Sequence, residues 1–436
     1  MSLAPRSLVR GWCPGALRPM QTGDGLLVRL RITGGILSAE LARSLSEASG
    51  EYGNGLIDLS ARGNLQVRGV TETTLGPLSE RLTALGVLDE DPAAEAVRNV
   101  VASPLAGLDP AAVLDIRPLV QRLEQVLVRD EDLHALPGKF GFAVDDGGRI
   151  GLDDVSADVS FRAVHRAGRT PVFLIALAGM RRDEPVAACE ADALPEAAAA
   201  LARAFLTLRD DAAGQARRMR DLVGRVGARR VFAAAGLETG APSETRSVRP
   251  ASEVFGLPET LSGVALGVAA PFGRWTAEDL FALAGVADSL GVGDLRLTPY
   301  RAILVPRVAQ DRAEGLRREW SARFIVSADD PRLAVAACPG MPACGNATTH
   351  THDDALALAP LARSLAPAGL ALHVSGCPKG CAHPGAAPLT LVGVDGAYDL
   401  VARGSAADPP LRRGLAVGDV AALLAEQDRT GKECSA

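Results

Sequence analysis

Lysine is nearly missing from this 436-residue chain: Lys139, Lys379 and Lys432 are the only three among 46 basic side chains, and arginine supplies the rest. The net charge of −6 leaves no basic field around the molecule, which excludes a general nucleic-acid binder. Arginine's rigid fork still permits local sites for carboxylates. Long apolar runs are also missing. The longest, "PVFLIALAG" from Pro171, is far too short to span a bilayer, so no membrane partner is expected. The opening "MSLAPRSLVRGWCPGALRPM" is broken by proline, glycine and charge and lacks the apolar core of a secretory signal, which points to the cytoplasm. No G-x-G-x-x-G follows a strand pattern, so no flavin or nicotinamide signature is present and electrons for any redox chemistry must come from a separate donor.

What is present is a globular balance, 47% hydrophobic and 22% charged, in a chain long enough for two or three domains. Seven cysteines in a cytoplasmic setting read as metal or redox chemistry rather than disulfides. Cys13, Cys189 and Cys434 stand alone and read as core or tail residues. The other four form two close pairs: Cys338 and Cys344 in "ACPGMPACGN", with five residues between, and Cys377 and Cys381 in "SGCPKGC", with three. Four thiolates suit zinc or an iron–sulfur cluster. The wide first gap is awkward for a zinc knuckle and comfortable for a cubane, and Gly345, Gly376 and Gly380 let the backbone approach inorganic sulfide closely. Zinc and bare buried thiols are the alternatives.

The chain also contains a duplication. From Gly25 it reads "GLLVRLRITGGILSAELARSLSEASGEYGNGLIDLS", and from Gly263 "GVALGVAAPFGRWTAEDLFALAGVADSLGVGDLRLT", which align without a gap at an offset of 238. Each copy predicts strand, helix, strand. Val28, Leu30 and Ile32 alternate with Arg29 and Arg31; Ser38 and Thr276 stand at helix N-caps, with Glu40 and Glu278 in the first turns. "GNG" and "GVG" end those helices. Only the second half carries the cysteine pairs, so whatever they bind is present once. "TGAPSETRSVRPASE" is the expected linker between halves.

The cysteine pattern, following a duplicated α/β half, resembles the sirohaem-type sulfite and nitrite reductases. "LSARGNLQVRG", "RNVVASP" and "LPGKF" look like further pieces of the same site. The resemblance implies an α+β fold of two tandem related halves. Each half would be a ferredoxin-like half-module followed by a mixed α/β nitrite/sulfite-reductase-type domain: residues 1–80 and 81–245, then 246–315 and 316–436. It implies one [4Fe–4S] cluster on Cys338, Cys344, Cys377 and Cys381, in the second half. "RGWCPGALRPMQTGDGLLVRLR" and "HVSGCPKGCAHPG" lean toward the precorrin-3B synthase branch. That branch implies a monooxygenase that hydroxylates the anionic tetrapyrrole precorrin-3A with O2 and closes a lactone, in aerobic cobalamin biosynthesis. It adds a mononuclear non-haem iron to the cluster and an external electron donor, an NAD(P)H-dependent reductase or a ferredoxin. In the alternative, a sirohaem sulfite or nitrite reductase, Cys381 bridges cluster and haem. Gly141 stands where reductases tend to carry a second lysine, and Lys379 stands where their last pair encloses asparagine.

A precorrin bears many carboxylates, and arginines at alternate strand positions can pair with them bidentately. Arg62, Asn64, Gln66 and Arg68 share parity and predict such a comb, with Leu65 and Val67 facing the core. A plain polar face is the bland alternative. Arg98 and Lys139 join the expected substrate site through the resemblance, and Arg62, Arg68 and Lys139 its catalytic set. The second copy has Tyr300, Ala302 and Leu304 at equivalent positions, so the first half is expected to supply the anion site. Lys379 is placed to offset the charge of an anionic cluster. His350, His352 and Asp353 or Asp354 could hold a mononuclear iron, but "THTHDD" reads more simply as a helix start; His383 follows the last cysteine. His134, His165 and His373 read as structural.

Overall fold

The computed structural model describes residues 14–166, 169–181, 184–211, 216–240, 249–366 and 369–433. Cys13, Cys434 and most of the expected linker lie outside them. Four sheets carry the fold. The first contains β1 (Met20–Thr22), β2 (Gly25–Leu30), β4 (Leu56–Leu59) and β5 (Leu65–Val70), in the order β1-β2-β5-β4. Its last neighbour, β12 (Arg274–Thr276), comes from the second copy of the repeat. The second sheet returns the exchange. It has β11 (Val264–Ala269), β14 (Ala302–Val308) and β13 (Asp294–Leu297), and ends on β3 (Ile36–Ser38) from the first copy.

Each half-module therefore completes the other. One hydrophobic core gathers Val28, Leu30, Leu65 and Val67 with Leu266, Val268, Ile303 and Val305. The expected caps are in place: Ser38 Oγ accepts from the Leu41 amide and Thr276 Oγ1 from that of Asp279. The helices they start, Ala39–Tyr52 and Ala277–Ser289, pack on each other. Positions 80 and 315 fall inside the helices Glu72–Ala84 and Gln310–Trp320, so each half-module runs on to its helix end.

The larger segments also repeat, as the expected two related halves require. The third sheet runs β6 (Val100–Ala102), β7 (Phe142–Asp145), β8 (Val159–Arg166), β9 (Arg169–Leu177), β10 (Ala187–Glu190). The fourth runs β15 (Val335–Ala337), β16 (Leu372–Ser375), β17 (Ala387–Val394), β18 (Ala397–Gly404), β19 (Arg412–Leu415). In both, the first three strands are parallel and the last two pairings antiparallel. Among the described residues no helix is long and apolar enough to cross a membrane.

Candidate active site

The two cysteine pairs leave the carboxyl ends of neighbouring parallel strands. Cys338 follows β15 and Cys377 follows β16 after Gly376, and the Cys338 amide donates to the Val374 carbonyl (3.2 Å). In open α/β sheets this edge is where ligands bind. Cys338 is buried, Cys344 and Cys377 half-buried, Cys381 exposed. The Gly376 amide donates to Cys338 Sγ (3.2 Å). Burial pushes the Cys377 thiol above its ordinary value; the Lys379 amide pulls it down, and Cys344, Cys338 and Cys381 push it up again. The four thiols thus feel one another. Yet no three His, Cys, Asp or Glu side chains among the described residues gather into a single-ion site. Zinc would need its sulfurs about 2.3 Å from one centre. Four thiols on the ends of two adjacent strands, with backbone amides donating to Cys338 and Cys377, carry the donor set of a [4Fe–4S] cluster.

The first copy lacks this set for a visible reason. Ser103 follows β6 as Cys338 follows β15, its amide donating to the Val144 carbonyl (3.1 Å), and its Oγ accepts from the Asp146 amide (3.0 Å) as Cys338 Sγ accepts from Gly376. Ser103 stands in the place of Cys338, and Gly147, next after Asp146, in that of Cys377. Cys189, the one described cysteine outside the set, has its thiol pushed up to about 12 by burial, which leaves it inert at neutral pH.

Beside Cys338 and Cys381 lies a cleft of about 150 Å³, bordered by Asp58, Gln66, Phe272, Arg274, Arg301 and His352. It brings half-module strands against the cysteine loops. Its volume accommodates a carboxylate arm or one edge of a ring, since cavities that enclose a drug-sized ligand run to about 300–1,000 Å³. A larger cleft of about 670 Å³ along Arg122–Asp132 and Arg203 contains no thiol or histidine.

The expected comb is divided. β5 begins only at Leu65, and Arg62 and Asn64 belong to the turn before it, where Gly63 has φ +69° and the Ser60 amide donates to the Asn64 carbonyl. Gln66 and Arg68 do share a strand face opposite Leu65 and Val67. Gln66 reaches the cleft, with its amide oriented to accept from Arg29 (2.9 and 3.1 Å). Arg68 is only 2% exposed and is committed to protein partners: Asp24 (2.7 and 3.0 Å), Asp58 (3.0 Å) and the Ala343 carbonyl (2.8 Å) inside the first cysteine loop. It ties that loop down rather than offering itself to substrate. Arg62 is half-buried and donates to the Lys139 backbone carbonyl (3.0 Å); the Lys139 side chain is exposed, and neither residue borders the cysteine cleft.

Arg98 also departs from expectation. It holds Asp89 (2.8 and 3.0 Å), Glu124 (3.3 Å) and the Arg31 carbonyl, and borders a separate cleft of about 410 Å³ with Arg31 and Glu124. Its hydrogen bonds to the Arg31 carbonyl and the Thr33 hydroxyl join the first half-module to the first reductase-type segment. It does not border the cysteine cleft.

Two cleft arginines were missed in the sequence, both from the second copy. Arg274 grips Asp58 bidentately (2.9 and 3.2 Å), and Arg301 donates to the Phe272 carbonyl (2.7 Å). Burial pushes the Asp58 carboxyl up, but Arg274 and Arg68 more than offset this and hold it below its ordinary value. His352 meets the same field. Burial and then Arg274 bring it down to about 3, so it is neutral, and its ring lies 4.8 Å from that of Phe272. His350 is exposed, and Asp354 accepts from Tyr398 Oη (2.5 Å). "THTHDD" starts the helix Thr351–Ala362, with Thr351 Oγ1 donating to the Cys338 carbonyl (2.5 Å). No His–His–carboxylate set is assembled there. His134 donates to the Val128 carbonyl (3.0 Å), His165 is exposed at the end of β8, and His373 is fully buried beside His383 with neither ring nitrogen hydrogen-bonded.

Three comparisons bear on this arrangement. The model "Nitrite/Sulfite reductase ferredoxin-like half domain" matches residues 18–85 and 259–322, the two interlocked half-modules. "Nitrite and sulphite reductase 4Fe-4S domain" matches 93–242, the copy without the cysteine set. A precorrin-3B synthase from Sinorhizobium sp. is 33% identical over 406 residues, 92% of this chain and 84% of that protein. The chain belongs to the nitrite and sulphite reductase family. A ferredoxin–nitrite reductase of Synechococcus elongatus is 29% identical, covering 86% of this chain and 77% of its own. The NirA protein of Mycobacterium tuberculosis shares the fold, with a TM-score of 0.69 at 22% identity over 93% of this chain and 80% of that one. Its relatives in this family are enzymes and the chain is an oxidoreductase, and an iron–sulfur cluster accords with the 4Fe-4S family model and the four thiols.

Proposed function

We propose that this chain is a precorrin-3B synthase-like monooxygenase: it hydroxylates precorrin-3A with O2 and forms a lactone, in aerobic cobalamin biosynthesis. Cys338, Cys344, Cys377 and Cys381 hold a [4Fe–4S] cluster that supplies single electrons from an external NAD(P)H-dependent reductase or ferredoxin. Arg62, which donates to the Lys139 carbonyl, and Lys139 orient ring carboxylates, and Gln66 and Arg274 border the cleft beside the cysteines. Arg68 and Asp24 keep the first cysteine loop in place beneath it.

The observation that carries this reading against a sirohaem reductase is Gly141. A side chain there would start 3.2 Å from the Asn99 carbonyl and 3.7 Å from Arg62 Nη1, so a lysine at this position would reach the Arg62 guanidinium, and glycine supplies no such cation. A site that must deliver many protons to a small anion loses a donor at that position. The relative named precorrin-3B synthase supports the same choice.

The test is anaerobic purification followed by an absorption spectrum, iron, zinc and acid-labile sulfide analysis, and turnover of precorrin-3A with isotopically labelled dioxygen. A brown cluster envelope without porphyrinoid bands, and label in the product, is the expected result. Intense sirohaem bands would move the assignment to a sulfite or nitrite reductase. Stoichiometric zinc without sulfide would remove both enzyme readings.

A further inference from the structure

The 238-residue offset that relates the half-modules also relates their turns. Gly34, Gly63 and Gly69 take left-handed backbone at φ +60°, +69° and +69°; their counterparts Phe272, Arg301 and Arg307 do so at +59°, +59° and +58°. Glycine adopts this conformation freely, whereas a residue with a Cβ does so only under constraint. Strain of this kind persists where the surroundings impose it, and it concentrates at ligand sites.

Arg307 is explained by its partners: it donates to the Asp294 carboxylate and to the Val292 carbonyl. Arg301 is not explained in that way. Its Cβ and Cδ lie against Gly273, and the residue borders the cleft with Cys338, Cys381, Gln66 and His352. Its hydrogen bond is to a carbonyl, that of Phe272, which is itself held in the left-handed region. Five N–H donors are available on a guanidinium. No carboxylate among the described residues forms an ion pair with Arg301, and Asp58, which acts on it through space, is already gripped by Arg68 and Arg274. Burial pulls its pKa below the ordinary arginine value, whereas Arg68, more deeply buried but paired with Asp24 and Asp58, stays above it. A desolvated cation with spare donors at the edge of a cleft lacks a counter-anion.

We propose that Arg301 is a substrate anchor: its guanidinium, turned into the cleft by the left-handed turn, pairs bidentately with a ring carboxylate and selects tetrapyrroles that carry one at that edge. This rests on the tetrapyrrole reading above and adds a specificity-determining residue from the second half-module.

The test uses the cluster-loaded full chain and uroporphyrin I, an octacarboxylate porphyrin, titrated by absorbance and fluorescence quenching. Arg301→Gly should weaken binding about tenfold or more. The cluster spectrum should be retained and the melting temperature should not fall, because glycine suits the backbone there. Arg301→Lys keeps the charge but loses the fork, and should bind several-fold more weakly with unchanged melting and cluster absorbance. Arg307→Gly should bind as the unsubstituted protein does. Wild-type affinity in Arg301→Gly or, should that variant fail to fold, in Arg301→Lys would overturn the anchor and leave the tetrapyrrole reading standing. If the unsubstituted protein does not bind uroporphyrin, both fall.

Discussion

Asp58 shows how the site is held at the scale of single residues. It receives Arg68 from its own half-module and Arg274 from the other, and Arg68 passes on to Asp24 and to the Ala343 carbonyl between the cysteines. A buried ion pair adds little net stability, but removing one partner leaves an uncompensated charge. Arg68→Met should therefore cost about 3 kcal/mol in urea unfolding, at the low end of the range for broken buried pairs because Asp58 keeps Arg274. It should also hasten loss of the brown absorbance to an iron chelator. An Arg68→Met protein that unfolds like its parent would remove the tether. Arg62→Ala should behave oppositely: its stability should stay within about 0.5 kcal/mol, as for other surface changes, while uroporphyrin binding weakens. Unchanged binding in that variant would take Arg62 out of the substrate site.

Asp146 offers a pH test at the same scale. It is 1% exposed, and burial, with Asp145 and Asp109 nearby, raises its carboxyl from 3.8 to about 6. Folded-state protonation is favoured, so its contribution to stability is complete below pH 3.8 and lost as the pH rises through about 6. A rise of that size corresponds to at most about 3 kcal/mol. Asp146→Asn should be more stable than its parent at pH 7.5, with the advantage shrinking toward pH 4. An advantage that does not change with pH would show that Asp146 is not protonated on folding.

At the scale of elements, the lead strands and caps were legible because apolar alternation and N-caps are local signals. Gln66 and Arg68 were rightly placed on one face for the same reason. Parity failed at Arg62 and Asn64 because Gly63 bends the chain before β5 begins. It also hid Arg301: counting by twos from Tyr300 steps over it, although the offset that pairs Arg62 with Tyr300 pairs Gly63 with Arg301. The commitment of Arg68 and Arg98 to acidic neighbours was invisible, since Asp24, Asp89 and Glu124 are brought to them only by tertiary packing. Nor does periodicity say which strand lies at a sheet edge, so the exchange of β3 and β12 could not be read. Trp275 in β12 is 1% exposed and packs into the shared core, stacked on Phe324 at 5.4 Å. Trp275→Ala should cost about 3–5 kcal/mol, measured by denaturant unfolding. A loss below about 1 kcal/mol, far under the range for emptied aromatic sites, would mean that the exchanged strand is peripheral.

At the scale of the whole molecule, two copies of one plan meet so that a single cleft forms where half-module strands face the cysteine loops. The second half supplies the thiols, Arg274 and Arg301; the first supplies Asp58 and Gln66. Neither half contains the site, and neither completes its own half-module sheet, because β4 needs β12 and β13 needs β3. A chain ending at residue 240 would expose the edge of β4 together with core residues such as Val28 and Leu65, which an unpaired edge turns toward aggregation. Residues 1–240 and 241–436 expressed separately should therefore be insoluble or bind a hydrophobic dye, and co-expression should restore a soluble complex with the cluster spectrum of the intact chain. A soluble first fragment with cooperative unfolding of its own would show that the exchanged strands are not required, and that the halves are joined by the cleft rather than by a common core.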